Sequence, residues 1–173
     1  MKLSHKIALG FWFFIALSVT ISDLAWPATV YVKAPVGVQF SPRGGCTEAI
    51  VEAISNARSE ILVQGYSFTS AEIISALAAA RERGVSVQII LDKGQDAARY
   101  AALRKNLPAM FDRVHAIAHN KVMIIDQLIV ITGSFNFTKN AEQSNAENLL
   151  VIPDSGLAGE YIRNWKIHHQ HSK

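Results

Sequence analysis

Four side chains suited to cleaving a phosphodiester fall between His119 and Asn136, a stretch of 18 positions. His119-Asn120-Lys121 opens it, Asp126 follows after four residues, and Gly133-Ser134-Phe135-Asn136 closes it after six more. A phosphodiester repels anionic nucleophiles, so attack by a neutral imidazole is chemically sensible and gives a phosphohistidine intermediate. A lysine beside the histidine can pair with a non-bridging oxygen and steady the charged transition state. The hydroxyl of Ser134 and the amide of Asn136 can donate hydrogen bonds to the same oxygens. The leaving alkoxide still needs a proton, and one imidazole cannot be nucleophile and acid at the same moment. The pattern occurs once, so a second His119 from a twofold-related chain is the expected acid, and a homodimer with its site on the axis closes the mechanism.

Positioning these groups requires strands. Side chains alternate along a strand, which puts His119 and Lys121 on one side, roughly 6.7 Å apart. Ser134 and Asn136 share a parity in the same way, whereas Asp126 has the opposite parity to His119 and Lys121. Asp126 is therefore read as a turn-forming or salt-bridging residue that locks a hairpin, not as a catalytic group. Residues 122–125 and 128–132 are two apolar runs separated by Asp126-Gln127, the pattern of a tight hairpin. Glu147, in Asn145-Ala146-Glu147-Asn148, is the carboxylate close downstream. Bonded to one imidazole nitrogen it would fix the tautomer so that the other can act; as a bland alternative it caps or decorates the next strand.

The rest of the chain alternates short apolar runs with helical spacing, the signature of an α/β domain. Strands are expected at residues 36–40, 61–66, 85–91, 114–118 and 149–152. A helix capped by Thr47 should run to residue 57. Another, capped within Ser67 to Ser70, should run to Arg83 and stop at Gly84. A polar helix is expected near 95–103, and a C-terminal one over 157–168. The predicted architecture is one α/β/α unit, a mixed β-sheet sandwiched between helices, with one motif per chain.

The 173 residues suffice for a single domain with its own core, and half are hydrophobic, which excludes a disordered chain. A formal charge of +3 tolerates polyanions without announcing them. Residues 1–28 look like an export signal: Lys2, His5 and Lys6 precede an uncharged apolar run over 7–21, too short for a standard membrane span. The alternative is an uncleaved anchor. Residues 29–173 would then form the catalytic domain in the periplasm or outside the cell, with no stable membrane association after signal removal. Cys46 is the lone cysteine, so no intrachain disulfide can form.

Other candidates read as structural. His168, His169 and His171 on a terminal helix lack an obvious carboxylate in sequence and are expected to be solvated. His171-Ser172-Lys173 repeats His-x-Lys by chance. His115 is expected to pack in an apolar strand, and Phe135 and Phe137 in the core. Arg81, Arg83, Lys93, Arg99, Arg104 and Lys105 could line a backbone-binding groove, although such charges more often form a solvated face.

The motif and its surroundings resemble the small single-motif bacterial nucleases of the phospholipase D superfamily. The similarity extends over about residues 36–167 and includes Phe40-Ser41-Pro42, Tyr66 to Ser70, Asp92-Lys93-Gly94-Gln95, His119 to Asp126, Thr132 to Thr138 and Asn145 to Val151. The resemblance implies a phospholipase D-like fold and metal-independent hydrolysis of DNA, with RNA as a further substrate, and little sequence preference. It implies nucleophile and acid roles for paired copies of His119, phosphate contacts from Lys121, Ser134 and Asn136, and an imidazole partner in Glu147. No cofactor is expected. The rivals are a lipid hydrolase of the phospholipase D type, which would need an apolar rim at the site, and a catalytically idle nucleic-acid-binding protein.

Overall fold

Seven runs rich in β-branched and aliphatic residues pair into one sheet in the computed structural model, which describes residues 29–94 and 107–172. They are β1 (Gly37–Ser41), β2 (Glu60–Gly65), β3 (Ser86–Asp92), β4 (Ala109–Asp112), β5 (Lys121–Ile125), β6 (Ile129–Gly133) and β7 (Glu147–Pro153). The order across the sheet is β1-β7-β6-β5-β2-β3-β4. β2, β3 and β4 run parallel; β1, β7, β6 and β5 form an antiparallel ladder, and β5 joins β2 antiparallel through Gly65↔Lys121.

The central strands are covered on both faces, which is why β5 is buried along its whole length and reads as a continuous apolar run. On one face, α1 (Cys46–Asn56) and α2 (Ala71–Glu82) pack Ile50, Ile54, Ile73 and Leu77 against Ile61, Val63 and Met123. On the other, the C-terminal helix α4 (Ser155–His171) sets Ala158 and Trp165 against Leu62, Ile90, Val122 and Ile124. The buried indole of Trp165 donates to the Val63 carbonyl at 3.1 Å, fixing that helix to the middle of the sheet. The α/β/α sandwich and mixed sheet read from the sequence are therefore the observed fold.

Local differences have local causes. α1 is not capped by Thr47. Gly45 takes the N-cap position in the left-handed region (φ 82°), and the carboxylate of Glu142 accepts from the N–H groups of Gly45 (3.3 Å) and Thr47 (2.7 Å). Glu142 belongs to α3 (Lys139–Gln143), a single short turn of helix that hydrophobic spacing did not predict, capped by the Thr138 hydroxyl. α2 is capped by Ser70, inside the expected cluster, and the left-handed Gly84 (φ 94°) follows its end.

Residues 114–118 are not a strand. The strand is β4, and the Asp112 carboxylate then accepts from the N–H groups of Val114 (3.1 Å) and His115 (3.2 Å). Those donors are turned inward to a side chain, so the ladder with β3 stops at Asp112. The hairpin is as expected, with Asp126 (φ 52°) and Gln127 (φ 57°) both left-handed and Leu128 N–H bonded to the Ile125 carbonyl. The expected signal (1–28) and polar helix (95–103) lie outside the described residues. Among the described residues, no helix is long and apolar enough to cross a membrane.

Candidate active site

The ends of five strands meet along one edge of the sheet: the C-termini of β1, β2 and β6 and the N-termini of β5 and β7. His119, Lys121, Ser134, Asn136 and Glu147 are carried on or just beyond that edge. His119 lies two residues before β5, outside the strand, and is exposed. Its ring packs against Tyr66, which follows β2, with centroids 4.4 Å apart.

Lys121 is the first residue of β5 and is 6% exposed, unusual for an ammonium group. Its Nζ donates to the His119 carbonyl at 2.8 Å and stands 5.0 Å from the centre of the Tyr66 ring. Lysine and tyrosine thus clamp the backbone and ring of His119 from beneath. Burial draws the Lys121 ammonium down from its ordinary value, while the Glu147 carboxylate acts in the opposite sense. Register puts Lys121 and Glu147 on the same face, since Met123, Ile131 and Val151 align across β5, β6 and β7. Within this chain the Glu147 carboxylate accepts from Asn145 Nδ2 at 3.1 Å; no bond joins it to the His119 ring among the described residues.

Gly133 turns the chain from β6 towards Ser134 with φ 150°, and a side chain there would collide with the Asn148 carbonyl oxygen. This close approach lets the exposed Ser134 Oγ accept from Asn148 N–H (3.0 Å) and Asn148 Nδ2 (3.3 Å). Both bonds use lone pairs, so the hydroxyl proton is left to donate elsewhere. The Asn136 side-chain oxygen is buried without a hydrogen-bond partner among the described residues, a polar capacity that the single chain does not use. Its neighbours Phe135 and Phe137 are 0% and 1% exposed, which makes them core residues as expected. Phe137 meets Phe68 edge-on at 5.6 Å, and its carbonyl accepts from the N–H groups of Thr69 and Ser70 at 2.9 Å each. The Tyr66–Ser70 block and the Gly-Ser-Phe-Asn block are thereby stitched together.

Asp126 lies at the far end of the β5–β6 hairpin. Its carboxylate accepts from the N–H groups of Arg58 (2.9 Å), Ser59 (2.8 Å) and Glu60 (3.0 Å) and from the Ser59 hydroxyl (2.8 Å). Burial pushes its pKa up, but the backbone donors outweigh that and hold the carboxyl below its usual range. Asp126 is thus a tie between the hairpin and β2, as its parity indicated.

Of the cations that could line a groove, Arg83 caps α1, its Nη2 donating to the carbonyls of Ile54 (3.0 Å) and Ser55 (3.2 Å). Lys93 Nζ is bonded to the His115 carbonyl at 2.7 Å. Arg99, Arg104 and Lys105 lie outside the described residues. The expectations for His115, His168 and His171 fail together. His115 is exposed, and all three rings turn to the carboxylate of Asp112, a residue that sequence reading did not single out.

The fold and this edge define a phospholipase D-type phosphodiesterase. Residues 50–167 match the family described as "Cardiolipin synthase, PLD-like domain", and the chain belongs to that phospholipase D superfamily of phosphodiester hydrolases. It is similar to Phospholipase D of Rickettsia bellii, 42% identical over 137 residues that cover 77% of this chain and 68% of that protein. It is also similar to the Mitochondrial cardiolipin hydrolase of Homo sapiens, 30% identical over 158 residues, 87% of this chain and 61% of that protein. Among solved structures, Nuc, a phospholipase D family member from Salmonella typhimurium, superposes with a TM-score of 0.76 at 37% identity. That match covers 80% of this chain and 96% of Nuc.

Proposed function

We propose that the chain is an exported, metal-independent endonuclease that hydrolyses DNA, and RNA as a further substrate, at a homodimer interface. The observation that carries this reading is the exposed His119 clamped by buried Lys121 and by Tyr66 at the sheet edge where five strands end. An open edge suits a long polyanion that must lie across the site. The polar side chains of α3 and its flanks, Lys139, Asn140, Gln143 and Ser144, border it.

In the proposed reaction, a nitrogen of the His119 ring attacks phosphorus and the P–O bond to the leaving group breaks. The partner's His119 gives that oxygen its proton. Water, deprotonated by the same second imidazole, then displaces the first, so the phosphomonoester is released and both rings are restored. Lys121, Ser134 and Asn136 hold the non-bridging oxygens, and Glu147 orients an imidazole once two chains meet. Exposed Ile117 (59%), two residues before His119, and exposed Phe40 (65%), paired with Asn148, are apolar surface that a second copy would cover.

The same exposed residues favour one second reading. Exposed Val114 (65%) and Ile117 lie in the loop that leads to His119 and add apolar surface of the kind a lipid hydrolase needs, and relatives named above include lipid hydrolases. Plasmid DNA and cardiolipin vesicles, each incubated with the chain in excess EDTA and with His119→Ala alongside, separate the two. DNA cutting by the parent, at least about a thousandfold above the variant, supports the nuclease. Vesicle hydrolysis without DNA cutting transfers the site to lipid, and cutting by the variant overturns the mechanism.

A further inference from the structure

Three imidazoles converge on one buried carboxylate beside the active edge, from segments far apart in sequence. Asp112, at the C-terminal end of β4, is 0% exposed and is paired with no lysine or arginine among the described residues. Its Oδ1 is fixed by the backbone turn at Val114 and His115. Its Oδ2 is approached by His115 Nδ1 (2.8 Å), His168 Nδ1 (2.7 Å) and His171 Nε2 (3.3 Å). His168 and His171 are three residues apart and share a face of α4, while His115 comes from the loop after β4. The three rings lie 4.7, 5.3 and 5.5 Å from one another.

As hydrogen bonding alone this is poor design. Three ring nitrogens are aimed at one oxygen, so bonding all of them at once would need a proton on each, with the positive ends crowded together. As a coordination sphere the same arrangement is sensible. The four donor atoms all fall within 4.8 Å of one another. A tetrahedral zinc site, with bonds near 2.0–2.1 Å, has donors roughly 3.3 Å apart, so small side-chain rotations suffice to close around an ion. Three imidazole nitrogens and one carboxylate oxygen form a donor set suited to a first-row divalent cation. The surroundings resemble a built site. The carboxylate is oriented by backbone donors, Ser172 Oγ ties down the His168 carbonyl at 2.7 Å, and Lys93 ties down that of His115 at 2.7 Å.

We propose that Asp112, His115, His168 and His171 bind one structural divalent cation, with zinc the best fit. The ion joins the end of α4 to the loop 113–118, which delivers His119, and has no part in the phosphoryl chemistry. The site stands on its own geometry and does not depend on the nuclease reading.

The test uses the full chain, stripped of metal and titrated with Co²⁺ and then Zn²⁺. One equivalent of Co²⁺ per chain should give the visible absorption of a tetrahedral site, and Zn²⁺ should bleach it. Zn²⁺ should also raise the melting temperature. His119→Ala should bind equally well. The double variant His168→Gln/His171→Gln should lose binding and the thermal shift, and His115→Gln, changed at a half-exposed position that folding tolerates, should bind at least about tenfold more weakly. No stoichiometric uptake by the parent, or undiminished uptake by His115→Gln, overturns the proposal. Uptake by an inactive parent would leave this site standing while the nuclease reading falls; cleavage without uptake would do the reverse.

Discussion

Asp126 shows how one side chain in a catalytic signature can serve stability alone. Its folded pKa lies below the ordinary carboxylate value of 3.8, because three backbone N–H groups and a hydroxyl bond the charged form. A lowered pKa means the contribution is fully present above the unfolded value and is lost as pH falls through the folded one. Asp126→Asn should therefore cost about 1–3 kcal/mol in urea unfolding at pH 7, with the gap to the parent narrowing below about pH 4. A gap independent of pH would refute the assignment. Strand parity alone separated Asp126 from the active group. The same reasoning could not find Asp112, because its partners come from a loop and from a helix more than fifty positions away. The legible trace was two pairs at a spacing of three, Asp112 with His115 and His168 with His171, and only the fold brings them together.

At the scale of elements, sequence patterning located strands and helices well wherever apolar periodicity ran for several residues. It placed β4 too late, because the alternation over 114–118 looks like a strand while the Asp112 carboxylate turns the backbone out of the ladder. It gave α1 the wrong cap, because Thr47 is locally plausible and the true acceptor, Glu142, is on α3. That carboxylate ties α3 to the start of α1, while the backbone carbonyl of Glu142 accepts from the Arg43 N–H in the loop after β1. Glu142→Ala should lower stability by about 1–2 kcal/mol, the range of a lost N-cap, read as a shift in the urea midpoint with an unchanged slope. Burial and the nearby Glu142 charge also push the Cys46 thiol up to about 11. The Cys46 thiol should thus resist alkylation in the parent and react sooner in the variant.

For the whole molecule, the class of fold was legible because β-rich runs alternate with helical spacing, and the seven strands fall in one mixed sheet. What no periodicity encodes is how two chains meet. The proposed dimer rests on a single motif histidine per chain, and exposed Ile117 and Phe40 are the apolar surface proposed for that contact. Ile117→Asp should convert a dimer to a monomer in light scattering after gel filtration and abolish cleavage without unfolding the chain. A variant that stays dimeric and active would move the interface elsewhere.

The position of Trp165 has an experimental consequence. Of the three tryptophans, Trp12 and Trp26 lie within the first 28 residues, so a chain beginning at residue 29 keeps a single indole. That indole is 3% exposed, bonded to β2 and packed 4.9 Å from the ring of His169, between His168 and His171. Its emission is thus a native optical gauge of whether the last helix is seated. A blue-shifted band reports the closed sandwich, and a red shift reports release of the arm that carries two of the three clustered imidazoles, with no label attached.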